Sequence, residues 1–271
     1  MFAFAKITKH RELAGFLVGR NLKIRYKNSA LGFFWSLLTP AMMICVYAVF
    51  AKILKFNNGS PHYLQFLVSG IVFWQFTAGC LNDSLHAIAG NANLVKKVYF
   101  PRVILPVSTV LANAVNFGLT ALVLILYLVL SGAADLRAAY WFVPAFAAHL
   151  ALGIGIATLC ATANVFFRDM EHIAGVVTLA WFFLSPVFYD ASLQINMLAG
   201  SRLFADCAWI VYLNPMCGIL ALYRHALMGL PLTPDGIPPH AVLLSVGVCV
   251  AVCALGLAAL RAGDKKFGDV L

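Results

Sequence analysis

The sequence predicts an all-α integral membrane protein with six transmembrane helices, an N-terminal interfacial amphipathic helix, and re-entrant external helices before the last span. Hydrophobic residues make up 62% of the 271 residues and charged residues 11%, whereas soluble domains are about half apolar and a quarter charged. The apolar residues form runs of about 20, the length that crosses a bilayer as a helix. Four cations (Arg20, Lys23, Arg25 and Lys27) precede the first run, which predicts a cytoplasmic start.

Residues 1–30 predict a cytoplasmic helix that lies in the membrane interface. Seven cations are interleaved there with large apolar residues. Because the stems of Lys and Arg can lie along apolar surface while their charges reach the headgroups, an interfacial helix accommodates both kinds of residue. A disordered basic arm is the alternative.

The rest of the chain, 31–271, is predicted to be one transmembrane domain with six spans. Each span is a run with few or no formal charges, and turn-forming or basic residues separate the runs. Small residues at 151–157 are expected to permit close contact between two helices. The predicted spans are 31–53, 63–81, 103–130, 140–166, 173–189 and 241–260.

The segment 190–240 contains a 17-residue apolar stretch, 207–223, that would be long enough for a seventh span. The distribution of Lys and Arg residues disfavours a seventh span. With six spans, both termini and 14 of the 19 Lys and Arg residues lie in the cytoplasm. We therefore expect an external segment of half-membrane helices that border a pathway, because backbone breaks at membrane depth need protein or a water-filled cavity around them. The expected breaks are at Asn214 and Pro215 and at Pro231, Pro234, Pro238 and Pro239.

The sequence lacks the motifs of ATP hydrolysis and of common hydrolytic enzymes. It contains no GxxxxGK[ST] phosphate loop, no HExxH and no GxSxG. The spans also lack the acidic groups that proton or sodium coupling needs, and His149 is interpreted as a packed histidine. Any energy for transport must therefore come from a partner.

Other functional classes are disfavoured. The net charge of +9 lies at the ends of apolar runs, which fits topology and lipid headgroups better than nucleic acid. The seven cysteines form no CxxC pair, so no metal site is predicted, and a disulfide between Cys207 and Cys217 stays open. A membrane-embedded lipid-modifying enzyme is the alternative class, for which Asp169, Glu171 and His172 would be a small acidic and histidine cluster.

Four segments carry distinctive motifs: RYKNSALGFFWSLLTP at 25–40, LVKKVYFPR at 94–102, NVFFRD at 164–169 and LNPMCG at 213–218. Together they resemble the permease family of type-2 ABC exporters, which carry O-antigen, capsule or teichoic acid. The resemblance implies a homodimer in the bacterial inner membrane and two copies of a separate ATPase subunit that holds ATP and Mg. It also implies a channel at the dimer interface for a lipid-linked polysaccharide.

The first two motifs are most similar to the O-antigen branch of that family, and the chain itself is expected to be neither an enzyme nor a cofactor binder. Export of teichoic acid, capsule, or a smaller lipid or drug is the alternative. The identity of the sugar, the length of the polymer and the need for a glycan cap stay open.

Cations mixed with aromatic residues on one cytoplasmic loop suit docking onto a soluble partner, here the ATPase. A simple positive-inside loop is the alternative. The predicted docking residues are Lys96, Lys97, Val98, Tyr99, Phe100, Pro101 and Arg102, with Arg168 and Asp169 as a smaller second contact.

Two further groups of residues are assigned to the substrate. The cations Arg20, Lys23, Arg25 and Lys27 are expected to meet the lipid diphosphate at headgroup level. Aromatic faces that stack on sugar rings would let a polymer slide along the channel, and contact with lipid is the alternative. The candidate channel aromatics are Phe33, Phe34, Trp35, Tyr47, Phe73, Trp74, Phe76, Trp181, Phe182, Phe183, Phe188 and Tyr189.

Overall fold

A computed structural model describes residues 10–26, 62–98, 100–167, 169–200, 205–264 and 266–270, with part of 34–49. Every regular element in these ranges is helical, which confirms the predicted all-α class. Short 3-10 helices are Ala89–Asn91, Leu136–Trp141 and Ala205–Leu213. The α-helices are α1 (Arg11–Tyr26), α2 (Tyr63–Ser84), α3 (Ala92–Lys97), α4 (Ile104–Leu130), α5 (Phe142–Phe166), α6 (Met170–Leu184), α7 (Ala191–Ala199), α8 (Pro215–Met228), α9 (Ala241–Gly263) and α10 (Phe267–Val270).

Four of the described helices are long and apolar enough to cross a membrane: α2, α4, α5 with the 3-10 helix before it, and α9. They confirm helices at the predicted spans 63–81, 103–130, 140–166 and 241–260. The predicted span 31–53 lies mostly outside the described residues. The count of six spans therefore stays a prediction.

The predicted span 173–189 is wrong at its carboxyl end. Helix α6 has 15 residues and ends at Leu184, which gives a length of about 22 Å against a hydrocarbon core of about 30 Å. Ser185 is extended, with φ −98° and ψ 145°. The cause is local, because a residue before proline is pushed out of the helical region, and Pro186 follows.

Helix α5 lies at the centre of the bundle and packs most extensively along α9. At Gly155 a Cβ atom would lie 2.6 Å from the backbone N of Cys253 and from the carbonyl C of Val252. Across the contact, Gly256 of α9 faces the carbonyl O of Gly155. Close contact through the small residues 151–157 is therefore confirmed, and it is a backbone-to-backbone contact.

Helix α1 packs one face against α4. Ala14 and Leu17 are buried on that face, whereas Phe16 and Ile24 are exposed. The predicted helix is present between 11 and 26, and its two large exposed residues would meet lipid or another protein. Its position in the membrane interface stays a prediction.

The contact between α5 and α9 generates a stability prediction. Gly155→Leu should lower the free energy of unfolding by about 1–3 kcal/mol, because the added side chain forces the two backbones apart. Thermal unfolding in detergent measures this change. The matched control is Gly118→Leu on α4, where an added Cβ meets nothing within 4 Å. Equal unfolding temperatures of the two variants would contradict the close contact.

Candidate functional site

A non-helical stretch that begins at Ser185 follows α6, and we call it the first break. A buried arginine of α8 binds its backbone. Arg224 is 5% exposed and donates hydrogen bonds to the carbonyl oxygens of Pro186 at 2.7 Å and Val187 at 3.0 Å. It also donates to the carbonyl oxygen of Phe66 on α2 at 3.2 Å, and its Cζ lies 3.4 Å from the centre of that ring. One guanidinium thus joins the break to two helices.

The space for that guanidinium depends on a glycine of α2. A Cβ atom at Gly70 would lie 2.6 Å from Nη2 of Arg224 and 2.6 Å from the carbonyl oxygen of Val187. Any larger residue at this position would push away either the guanidinium of Arg224 or the backbone at Val187. Close approach of backbone is the reason for glycine here.

The second break precedes α8 and is organised by Asn214. Its Oδ1 accepts from the backbone N–H of Met216 at 3.1 Å and from the indole N–H of Trp181 at 2.9 Å. Its Nδ2 donates to the carbonyl oxygen of Leu184 at 3.1 Å. Asn214 therefore caps α8, with Pro215 in the first turn, and holds the end of α6 beside it.

A serine of α9 satisfies the carbonyl that the second break leaves free. The hydroxyl of Ser245 donates to the carbonyl oxygen of Tyr212 at 2.6 Å. Gly218 of α8 approaches the same serine so closely that a side chain there would collide with it. The predicted break at Asn214 and Pro215 is confirmed, and 207–223 is not one continuous helix.

The loop that carries the predicted docking residues divides into an exposed part and an inward part. Lys96, Lys97 and Val98 are exposed at the end of α3. Phe100 is buried, and Arg102 is directed at Asp264 beyond α9, with 3.3 Å between its Nη1 and Oδ1 of Asp264. The structure thus brings together the two lysines and the valine, whereas Phe100 and Arg102 face the rest of the chain.

The structure describes two of the other four predicted docking residues, Asp169 and Pro101. Asp169 is exposed immediately before α6, and Pro101 is half-buried. Tyr99 and Arg168 lie outside the described residues.

Comparison with known proteins agrees with this architecture. Residues 12–228 match the family model described as ABC-2 type transporter, which is most of the chain. The chain belongs to the ABC-2 type transporter family. The resemblance noted from the four motifs is confirmed.

The relatives of this ABC-2 chain share one description. Two proteins from Klebsiella pneumoniae called O-antigen export system permease protein RfbA are each 27% identical over 256 residues, 94% of this chain and 93% of theirs. A protein of the same name from Myxococcus xanthus is 32% identical over 223 residues, 81% of each chain. The similarity is to export permeases over nearly their whole length.

The structure describes the side chains of two of the four cations predicted to meet the lipid headgroups, Arg20 and Lys23. Arg20 lines a cavity of about 540 Å³ between α1, the end of α2 and α4, and Lys23 is exposed. The same cavity is lined by Asp83 and Glu171, so it carries both signs of charge. The side chain of Arg25 and the residue Lys27 lie outside the described residues.

The candidate channel aromatics are distributed over the core and the surface. Phe73 and Phe76 are buried, and Phe73 stacks on Tyr223 with 4.0 Å between ring centres. Trp74 is buried and meets Trp181 edge-on at 5.5 Å. These side chains pack against other residues of the same chain. Phe34, Trp35 and Phe183 are exposed, Trp181, Phe182, Phe188 and Tyr189 are half-buried, and Phe33 and Tyr47 lie outside the described residues.

The interpretation of His149 as a packed histidine is confirmed. Its ring is fully buried, and Nε2 lies 2.7 Å from the hydroxyl of Thr77. The rings of Phe76 and Tyr223 stand edge-on to it. Within the described part of the chain, no three His, Cys, Asp or Glu residues come together as a possible metal site.

Arg224 was not predicted from the sequence. It is the single formally charged residue between 207 and 228, and a lone charge in an apolar run was the signal that could have found it. The first break was not predicted either, because Ser185 and Pro186 lie inside the predicted span 173–189. Asn214 and Pro215 indicated the second break, where the described residues accept no hydrogen bond from Arg224.

Arg224 generates the second prediction. Arg224→Met should lower the free energy of unfolding by about 2–5 kcal/mol, because it leaves buried carbonyl oxygens without donors. Arg224→Lys should fall between this variant and the native chain, since an ammonium offers its donors from one atom instead of a planar fork. Thermal unfolding in detergent measures both changes.

Arg137→Met is the matched control, because the side chain of Arg137 is 94% exposed. It should unfold like the native chain. Native stability of Arg224→Met would contradict the role of the guanidinium at the first break.

Proposed function

We propose that this chain is the transmembrane subunit of an ATP-driven exporter that moves a lipid-linked polysaccharide, with O-antigen as the first candidate, across the bacterial inner membrane. The observation that carries the proposal is the match to O-antigen export permeases over 93% of their length. Because the similarity extends over 94% of this chain as well, the role of a complete subunit is proposed for it.

Energy would come from a separate ATPase, which would hold ATP and Mg. The chain has no phosphate loop of its own. The exposed end of α3 supports docking there, since Lys96, Lys97 and Val98 offer charge and an apolar contact on one surface. We propose two ATPase copies, one for each protomer of a homodimer.

The proposed channel lies between two protomers. Helix α6 supports this arrangement, because the part of the chain that the structure describes buries only Ala174 of this strongly apolar helix. An exposed apolar surface of this kind is typical of contact with lipid or with a second copy. Exposed Phe183 lies on this helix, and the two breaks follow it. The second copy would place α6 and the breaks beside the path of the polymer.

The proposal is tested by expressing the chain with a candidate ATPase, a reading frame from the same organism that carries a phosphate loop, in cells that lack their own export permease. Polysaccharide should reach the cell surface, and the ATPase should co-purify with the chain. Undecorated cells, with the protein present in the membrane, would contradict polysaccharide export. Export of teichoic acid, capsule or a small lipid instead would retain the transporter class and reject O-antigen.

The docking surface generates the third prediction. Lys96→Glu combined with Lys97→Glu should lower the amount of co-purified ATPase at least tenfold, because reversing two charges at a complementary contact costs several kcal/mol. Quantitative immunoblotting of the purified complex measures this. Arg137→Glu is the control of the same charge type and should retain the ATPase. Normal recovery with both lysines reversed would reject this docking surface.

Contact with the lipid diphosphate generates the fourth prediction. Arg25→Glu with Lys27→Glu should lower export about fivefold or more at equal protein level, since each interfacial cation contributes about 1 kcal/mol to binding of anionic headgroups. Surface polysaccharide per unit of membrane protein measures this. Arg11→Glu in the first turn of α1 is the matched control. Unchanged export in the double variant would remove these cations from the path of the lipid.

A further inference from the structure

Arg102 ends the predicted docking loop but contacts a distant part of the chain. Its guanidinium donates to the carbonyl oxygen of Asp264, and Nη1 lies 3.3 Å from Oδ1 of the same residue. These residues are 162 positions apart in the sequence. The side chain of Arg102 is 22% exposed, so it is mostly withdrawn from any soluble partner.

Phe267 forms the second half of this contact. It is fully buried, 5.7 Å from the guanidinium of Arg102 and 5.7 Å from the ring of Phe166 on α5. A Cβ atom at Gly263 would lie 3.0 Å from the Phe267 ring, so the glycine makes room for it. Helix α10 thereby packs against both α3 and α5.

Helix α3 needs this support. It has six residues, and isolated helices of that length are unstable in water. Lys96, Lys97 and Val98 point away from the protein, whereas Val95 is buried. The orientation of the exposed residues therefore depends on what lies behind the loop, which is Asp264 and the helix α10.

We propose that Arg102, Asp264 and Phe267 form a latch that fixes the docking loop to the end of α9, so that Arg102 positions the docking surface instead of contacting the ATPase. The proposal rests on the proposed function, because it assigns a mechanical role to that same surface. Helix α9 packs along α5 through Gly155 and Gly256. Movement imposed on the loop by the ATPase would reach the α5–α9 pair through the latch.

A charge exchange in the full complex with its ATPase tests the latch. Arg102→Glu and Asp264→Arg should each lower the polysaccharide exported per ATP hydrolysed by about fivefold, the effect of losing one partly exposed ion pair. Combining the two substitutions restores an ion pair of opposite order and should recover most of the ratio. The amount of co-purified ATPase should change less than twofold in all three variants, the scale expected if Arg102 lies away from the binding surface.

Two controls complete the experiment. Arg261→Glu makes the same charge change at an exposed position of α9 and should leave the ratio unchanged. Phe267→Ala removes the ring that the Arg102 guanidinium packs against, without a change of charge, and should lower the polysaccharide exported per ATP hydrolysed. Lys266→Ala, at the exposed neighbouring position, should not lower it. If a single variant fails to accumulate in the membrane, recovery of its level by the charge exchange supports the latch.

The latch would be overturned if the exchanged pair performed no better than the single variants, in export ratio or in membrane level. It would also be overturned if Arg102→Glu released the ATPase as strongly as reversal of Lys96 and Lys97, because Arg102 would then be a direct contact. Failure of the native complex to co-purify at all would instead reject the proposed docking function. The two failures are therefore distinguishable.

Discussion

Backbone carbonyl groups at the two chain breaks must be paired, and this requirement determines how the apolar part of the chain is arranged. No water compensates a free carbonyl that is buried in the protein, and each unpaired group costs about 1–3 kcal/mol. Arg224 and Asn214 donate to carbonyl groups of the first break, and Ser245 donates to a carbonyl group of the second. At the two breaks, the side chains of Arg224, Asn214 and Ser245 supply the hydrogen bonds that the backbone of a continuous helix would have supplied itself.

The protein therefore has a rigid part, the α5–α9 contact, and a part that can rearrange more easily, the two breaks. The α5–α9 contact is backbone against backbone at Gly155, with little capacity to adjust. The breaks depend on a few hydrogen bonds from single side chains, which can exchange one partner for another. In the proposed exporter, the pair α5–α9 would receive movement at the docking loop, and the breaks would open the far end of the path.

The sequence predicted the long helices well because hydropathy and length are local properties. It placed Pro186 inside span 173–189 without concluding that Ser185 would leave the helix, so the span was predicted too long. The site was harder to predict. The partner of Arg102 is separated from it by 162 residues, and the carbonyl groups bound by Arg224 have no sequence signature. Residue type also could not separate buried Phe73 from exposed Phe183, since burial depends on tertiary contacts.

The proposed activity is movement of a lipid-linked polysaccharide with energy from a separate ATPase. It can be measured by reconstituting the chain and its ATPase in liposomes with a fluorescent lipid-linked O-antigen on the side of the ATPase. The glycan should become accessible to a lectin on the opposite side when ATP is added, and not with a non-hydrolysable analogue. A complex that hydrolyses ATP and moves a short lipid, but leaves the polysaccharide where it was, would rule out polysaccharide export.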